Sequence, residues 1–226
     1  MGGPNQDAIG YVISDFRETE DVQRVAVICV ADGMTTLASP HLASFYAVRT
    51  AMTTFLSSKN PLSERPTEMI LEANNYLLKH PTKQDFGTTL TTVVASAKMI
   101  HIANLGDDRV YQISGSQIRC LTNDHSRLAE QLGRNPSKSE AKENQKSKKL
   151  ERSLGEKPFA AEYVFTHQCP VCEGETFIIC TDGFWTEFEE PELLSMAIGK
   201  ITASALAELA VQRDNTDDVS VVLLRF

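Results

Sequence analysis

Val25-Ala26-Val27-Ile28-Cys29-Val30-Ala31-Asp32-Gly33 is the stretch on which the reading of this chain turns. Its uninterrupted apolar run reads as a buried strand. The strand carries one carboxylate, Asp32, to its end, where rigid backbone holds it while its head stays reachable. The pattern recurs downstream. Thr176-Phe177-Ile178-Ile179-Cys180 leads into Thr181-Asp182-Gly183, and Asp217-Asp218 opens into Val219-Ser220-Val221-Val222-Leu223-Leu224. Asn5-Gln6-Asp7 adds a fourth acidic element near the start of the chain. A single Asp-Gly after a strand is ordinarily a turn. Two of them, each after a strongly apolar strand and joined by two further acidic elements, point to carboxylates that converge. Such carboxylates repel one another unless a cation joins them. Mg²⁺ and Mn²⁺ are hard cations that take oxygen ligands of this kind. The sequence therefore predicts a carboxylate-built, two-metal hydrolytic site.

Composition narrows the setting. The net charge of −8 argues against a general nucleic-acid binder, whose footprint would be basic. Nothing marks a linker, so residues 1–226 are read as one domain. No stretch approaches the length of a transmembrane helix, and no secretory signal precedes the first polar residues. The expectation is a cytoplasmic monomer with no membrane or nucleic-acid partner. Cys29 and Cys180 lie in apolar runs and read as small core residues. Cys169-Pro170-Val171-Cys172, with His167 nearby, is expected in a surface turn. It falls short of the four ligands a structural zinc site needs.

Along the chain, strands are expected at Ala8 to Ser14 and Arg24 to Ala31. A helix is expected from Pro40 to about Ser57, capped by Ser39, with Leu42, Phe45, Val48, Met52 and Phe55 inward. A second follows from about Arg65 to His80, with Met69, Ile70, Ala73, Tyr76 and Leu77 inward, and Pro81 ends it. Thr88 to Ala97, Ile100 to Asn104, Arg109 to Ser114 and Gln117 to Leu121 read as four consecutive hairpin-connected strands of one antiparallel sheet. Residues from about 124 to 150 are polar and Lys-rich and read as a flap. Strands at Ala160 to Thr166 and Thr176 to Thr181, a helix near Thr202 to Gln212 and a strand from Val219 to Phe226 close the chain. The class is α+β, with two antiparallel sheets face to face and helices outside.

At this level of detail the residues resemble a known family, the metal-dependent serine/threonine phosphatases of the protein phosphatase 2C (PPM) group in a compact bacterial-like form. The resemblance rests on Asn5-Gln6-Asp7-Ala8, Val30-Ala31-Asp32-Gly33-Met34, Gly87-Thr88-Thr89 and Ala103-Asn104-Leu105-Gly106-Asp107-Asp108-Arg109. It continues through Leu121 to Ser126, Arg152-Ser153-Leu154-Gly155, Cys180 to Trp185 and Asp217 to Val222, all in the family's order. It implies a four-layer α-β-β-α sandwich with the metal site at one edge of the two central sheets. Asp32 matches the carboxylate that bridges two Mn²⁺ or Mg²⁺ ions, and Gly33 the residue lending its backbone carbonyl to the second. Asp182 and Asp217 match further ligands of the first metal, and Asp7 an acid that holds waters of the second. Asp107, with Asp182, matches the family's candidate position for a third metal; Asn104 and Asp124 match structural residues. Register selects Asp217 over Asp214 and Asp218.

The implied activity is hydrolysis of phosphoserine and phosphothreonine in proteins by a metal-activated water, opposing a Ser/Thr kinase. Asp7, Asp32, Asp182 and Asp217 are the expected catalytic residues. Gly2 stands where the family carries a phosphate-binding Arg, so weaker substrate binding is expected unless another residue, such as Arg17, supplies the charge. The second reading is a pseudophosphatase that keeps the fold as a binding or regulatory module.

Overall fold

The computed structural model describes residues 3–18, 21–37, 39–80, 86–144, 149–213 and 217–226. The run that ends at Asp32 forms strand β2 (Asp21–Asp32), which pairs antiparallel with β1 (Asp7–Glu18) along its whole length. Both strands are longer than the apolar pattern predicts, because the ladder continues through polar residues to Glu18↔Asp21. Beyond β2 come β3 (Leu90–Ser96), β4 (Met99–Leu105) and β7 (Phe165–Pro170), giving a five-stranded sheet in the order β1-β2-β3-β4-β7. The second sheet contains β5 (Arg109–Ser114), β6 (Gln117–Cys120), β8 (Thr176–Cys180) and β9 (Val221–Arg225), in the order β6-β5-β8-β9. Every pairing is antiparallel.

Both faces of β2 are covered, which is why it reads as a continuous apolar run. Val25, Val27, Cys29 and Ala31 pack outward against α1 (Pro40–Ser57) and α2 (Arg65–Lys79). Ile28 and Val30 point the other way, into a core shared with Val110, Phe177 and Ile179 of the second sheet. The outer face of that sheet is covered by α5 (Asp182–Trp185), α6 (Glu190–Ile198) and α7 (Ala203–Val211), through Phe184, Trp185, Leu193, Leu206 and Ala210. The expected four-layer α-β-β-α sandwich is the architecture observed.

Several local expectations change. The four strands from β3 to β6 are not one sheet. β3 and β4 belong to the first, β5 and β6 to the second, and Gly106-Asp107-Asp108 carries the chain between them. A sheet switch and a hairpin have the same turn chemistry, so strand pattern cannot separate them. On α1 the buried stripe is Ala43, Ala47 and Ala51 with Val48 and Phe55, while Phe45 is exposed. Small residues let the helix approach the sheet: a Cβ on Gly10 of β1 would stand 2.6 Å from Val48 Cγ1. Ser39 holds the expected cap position without a side-chain bond, and Tyr76 of α2 is partly exposed. Residues Ala161–Tyr163 form a 3₁₀ turn rather than a strand. Cys169 lies in β7 and is buried in the core between the sheets, whereas Cys172 is exposed; the two thiols do not share a surface turn. Pro81 lies outside the described residues.

Two short helices, α3 (Arg127–Leu132) and α4 (Lys138–Glu143), occupy much of the Lys-rich stretch, each started by a serine whose hydroxyl accepts a backbone N–H. Beneath them is a buried ion pair. Arg109 donates from Nη2 and Nε to both oxygens of Asp124, at 2.7 and 3.0 Å, and from Nη1 to Tyr111 Oη. Its guanidinium carbon lies 3.5 Å from the centre of the Trp185 ring. Removing one partner of such a pair leaves a buried, uncompensated charge. Asp124→Ala should therefore lower unfolding free energy by about 3–5 kcal/mol in urea titrations. A loss of less than about 1 kcal/mol, typical of exposed pairs, would show that Arg109 reaches solvent instead.

Candidate metal centre

Asp7 and Asp32 face each other at the open end of the β1–β2 ladder. The main chain of Asp32 is clamped on both sides. Its N–H donates to Thr89 Oγ1 at 2.7 Å, and its carbonyl accepts from Thr88 Oγ1 at 2.7 Å and from the Thr89 N–H at 2.9 Å. Gly33 follows, its N–H donating to the Gln6 carbonyl at 3.1 Å. A Cβ there would stand 2.2 Å from the Pro40 carbonyl oxygen, so only glycine lets the start of α1 close over the strand end.

The second sheet meets this edge through Thr181. Its hydroxyl donates to Asp7 Oδ2 at 2.9 Å and accepts from the Ser220 N–H at 3.1 Å, while its own N–H donates to the Ser220 carbonyl. One side chain thus joins β1 to the segments that end β8 and begin β9. Asp182 follows directly, at the start of α5. A Cβ on Gly183 would lie 2.0 Å from the Asp218 carbonyl oxygen, so this glycine allows the Asp217-Asp218 segment to pass close by. Asp218 is committed elsewhere: its Oδ2 accepts from the Gln6 N–H at 2.7 Å. Asp217 is exposed. Asp107 is buried at the sheet switch, and its carbonyl accepts from Trp185 Nε1 at 2.9 Å.

These carboxylates act on one another. Burial is the main force holding the Asp32 carboxyl well above the usual range, and the charges of Asp182, Asp7, Asp108 and Asp217 push it further. Burial raises Asp7 to about 6, with a smaller push from Asp182; the Thr181 hydroxyl, which donates to Oδ2, opposes this. The sequence-predicted acids are thereby brought into one electrostatic cluster around Asp32, with Asp107 acting on its neighbour Asp108. Asp108 is the site acid the sequence reading missed. The signal was available as the second acid of Gly106-Asp107-Asp108, but a turn gives no indication that both acids are buried.

The donor set fits a hard divalent cation. Asp7 Oδ1 and Asp108 Oδ1 are buried and receive no hydrogen bond, an arrangement that is costly unless something positive approaches. All the side-chain donors are oxygens, as Mg²⁺ and Mn²⁺ prefer. Among the described residues, no three acidic, His or Cys side chains are grouped closely enough to hold an ion. Arg17 takes no part. It lies ten positions along β1 from Asp7, paired with Val22 near the hairpin, which is roughly 30 Å away at strand spacing. Gly2 and Asp214 lie outside the described residues. Asn104 is buried and bonded to the Gly106 and Asn123 carbonyls, in keeping with its expected structural role.

A family model described as Protein phosphatase 2C matches residues 1–214. The chain belongs to the protein phosphatase 2C family. It is 27% identical over 219 residues to the serine/threonine phosphatase stp of Listeria innocua serovar 6a, covering 91% of this chain and 86% of that protein. The serine/threonine phosphatase Stp1 from Staphylococcus aureus shares the fold with a TM-score of 0.77 at 21% identity, over 99% of this chain and 90% of the other. The catalytic domain of the serine threonine protein phosphatase PstP, in complex with 2 manganese ions, superposes with a TM-score of 0.71 at 16% identity, over 96% of each chain.

The raised Asp7 pKa of this protein phosphatase 2C chain has a measurable consequence. Without cations, the folded state holds the Asp7 proton more tightly than the unfolded state does. The contribution is present below the ordinary carboxylate pKa and is lost as pH rises through about 6. In chelator, Asp7→Asn should match wild type near pH 4 and become the more stable protein by pH 7, as read by urea unfolding. A stability difference that does not change with pH would contradict this assignment.

Proposed function

We propose that this phosphatase hydrolyses phosphoserine and phosphothreonine in proteins, using divalent cations held by Asp7, Asp32, Gly33, Asp107, Asp182 and Asp217. The observation that carries the reading is the convergence of Asp7, Asp182 and Asp217 on Asp32, with buried carboxylate oxygens left without donors. Two Mn²⁺ or Mg²⁺ ions match the donor set, with Asp107 and Asp182 available for a third. Bound cations would acidify water and offset charge on the phosphoryl oxygens.

The chain's own residues perform the remaining work. The Thr88 and Thr89 hydroxyls fix the main chain of Asp32, so the central ligand is positioned before substrate arrives. Thr181 holds Asp7 against the second sheet. The cysteines offer no competing nucleophile at this edge. Cys29 and Cys180 are buried within the cores, and burial raises both thiols well above their ordinary range. The protein is read as cytoplasmic, monomeric and opposed to a Ser/Thr kinase; among the described residues no helix is long and apolar enough to cross a membrane. Residues from about 124 to 150 are read as a flap within the one domain formed by residues 1–226. There, Lys138 donates to the Glu187 carbonyl and Lys142 pairs with the Glu187 carboxylate, contacts that tie the flap to the loop after α5.

Hydrolysis of p-nitrophenyl phosphate and a phosphothreonine peptide should require Mn²⁺ or Mg²⁺ and disappear with chelator. Asp32→Asn should lower turnover by at least about 100-fold, the upper range for outer-shell changes. Asp182→Asn and Asp217→Asn should weaken both metal binding and turnover, while Asp214→Asn leaves activity nearly unchanged. Arg17→Ala should leave the Michaelis constant unaltered. Full activity in chelator would end the metal mechanism; metal binding without cleavage of any phosphopeptide would favour the pseudophosphatase.

The flap has its own check. Amides of Lys138 to Asn144 should exchange with solvent faster than those of Val25 to Ala31. Equal protection would assign the segment to the rigid body of the fold.

A further inference from the structure

Asp108 is fully buried, with 0% of its surface exposed, at the point where the chain passes from one sheet to the other. Its placement is tightly determined. Gly106 takes a φ of +123° and sits so close to Thr89 that a Cβ would stand 2.5 Å from Thr89 Cγ2. The Gly106 N–H donates to His125 Nδ1 at 3.1 Å, and Thr122 Oγ1 donates to the Asp108 carbonyl at 3.3 Å. The Asp108 side chain is thereby set beneath the acidic edge. Its Oδ2 lies 3.3 Å from Thr91 Oγ1, whose single hydroxyl proton is shared with the closer Asn104 Oδ1 at 2.8 Å. Thr89, whose Oγ1 receives the Asp32 N–H, offsets a small part of the rise that burial imposes on the Asp108 carboxyl. The Asp108 charge acts on Asp32, and those of Asp7 and Asp182 act on Asp108.

One atom remains unexplained. Asp108 Oδ1 is buried and has no hydrogen-bond partner. A carboxylate held only to share the Thr91 hydroxyl would gain nothing from a second, unbonded oxygen in a dry interior, where desolvation is costly. An oxygen that meets a cation accounts for it. We propose that Asp108 is a further carboxylate of the divalent-cation centre, contributing its unpartnered Oδ1 to a bound ion directly or through one water. It adds negative charge to the centre beside Asp32, on which its charge acts. The proposal rests on the metal-centre reading above and concerns a residue outside that ligand set.

Mn²⁺ binding to the full chain at one fixed pH, compared for wild type and Asp108→Asn, provides the test. Trp185 is the only tryptophan, and its indole N–H bonds the carbonyl of Asp107, so its fluorescence reports on this edge. Calorimetric titration gives an independent dissociation constant. Asp108→Asn should raise the Mn²⁺ dissociation constant by about 10-fold or more. In chelator its melting temperature should equal or exceed that of wild type, because an unpaired buried carboxylate has been neutralised. The stabilisation gained on adding Mn²⁺ should be smaller than in wild type. Asp108→Ser, which is smaller, should show the same rise in dissociation constant. If both variants bind Mn²⁺ as wild type does and melt lower in chelator, Asp108 is a structural acceptor for Thr91, and the proposal fails. If wild type itself binds no Mn²⁺, the metal reading of the whole edge fails and takes this proposal with it.

Discussion

The register of β1 against β2 is the constraint on which the candidate centre depends. Twelve consecutive pairs, from Glu18↔Asp21 to Asp7↔Asp32, place two carboxylates opposite each other at the open end of one ladder. Side chains alternate between faces along a strand, so a slip of one residue would exchange the two faces of β2. Val25, Val27, Cys29 and Ala31 would leave the helices, Ile28 and Val30 would leave the second sheet, and Asp7 would no longer face Asp32. Two hydrophobic cores therefore enforce the position of two acids. Each fully buried aliphatic side chain contributes roughly 1.5–3 kcal/mol, more than enough in sum to hold acids together that would otherwise separate.

That enforcement explains why the opposing sheet is tied to the same edge by hydroxyls and glycines instead of by further charges. Thr181 reaches Asp7, Thr88 and Thr89 grip Asp32, and Gly33 and Gly183 allow backbone to pass where a Cβ could not. The positive charge buried at this end of the second sheet belongs to Arg109, and Asp124 engages it through two hydrogen bonds. Arg109 is thus engaged by Asp124, while Asp7 Oδ1 and Asp108 Oδ1 are left without donors. The repulsion within the cluster favours binding of a divalent ion and is a source of strain without one.

What the sequence disclosed follows from what one-dimensional patterns can encode. An apolar run ending in Asp-Gly marks a buried strand with an acid at its tip, and Asp32 and Asp182 were legible for that reason. The α1 and α2 spans were legible because of their apolar spacing, joined for α1 by Pro40 at its start. The face of α1 was legible at Leu42, Val48, Met52 and Phe55 but not at Phe45, because close packing on a sheet selects Ala43, Ala47 and Ala51 over the larger residue, and a hydrophobicity pattern favours the larger one. The switch at Gly106 was not, because turn chemistry does not record which strand lies alongside next. Asp108 escaped for the same reason: burial of a turn residue depends on both sheets at once. The helices α3 to α6 are short, and their capping residues are also common in loops.

A centre assembled from the ends of two sheets has a consequence for stability. Asp7 and Asp32 belong to the first sheet, while Asp182 and Asp217 lie beside strands of the second. An ion ligated by both groups would bind the packed sandwich and neither sheet alone, so its binding free energy would also resist separation of the sheets. The unfolded chain, in which these acids are far apart and fully hydrated, would offer no comparable site. Cation affinity and the stability of the sheet-to-sheet interface are then linked quantities. Residues such as Thr181, which bridge the sheets without any charge of their own, contribute to both by holding the acids at a spacing the ion can close.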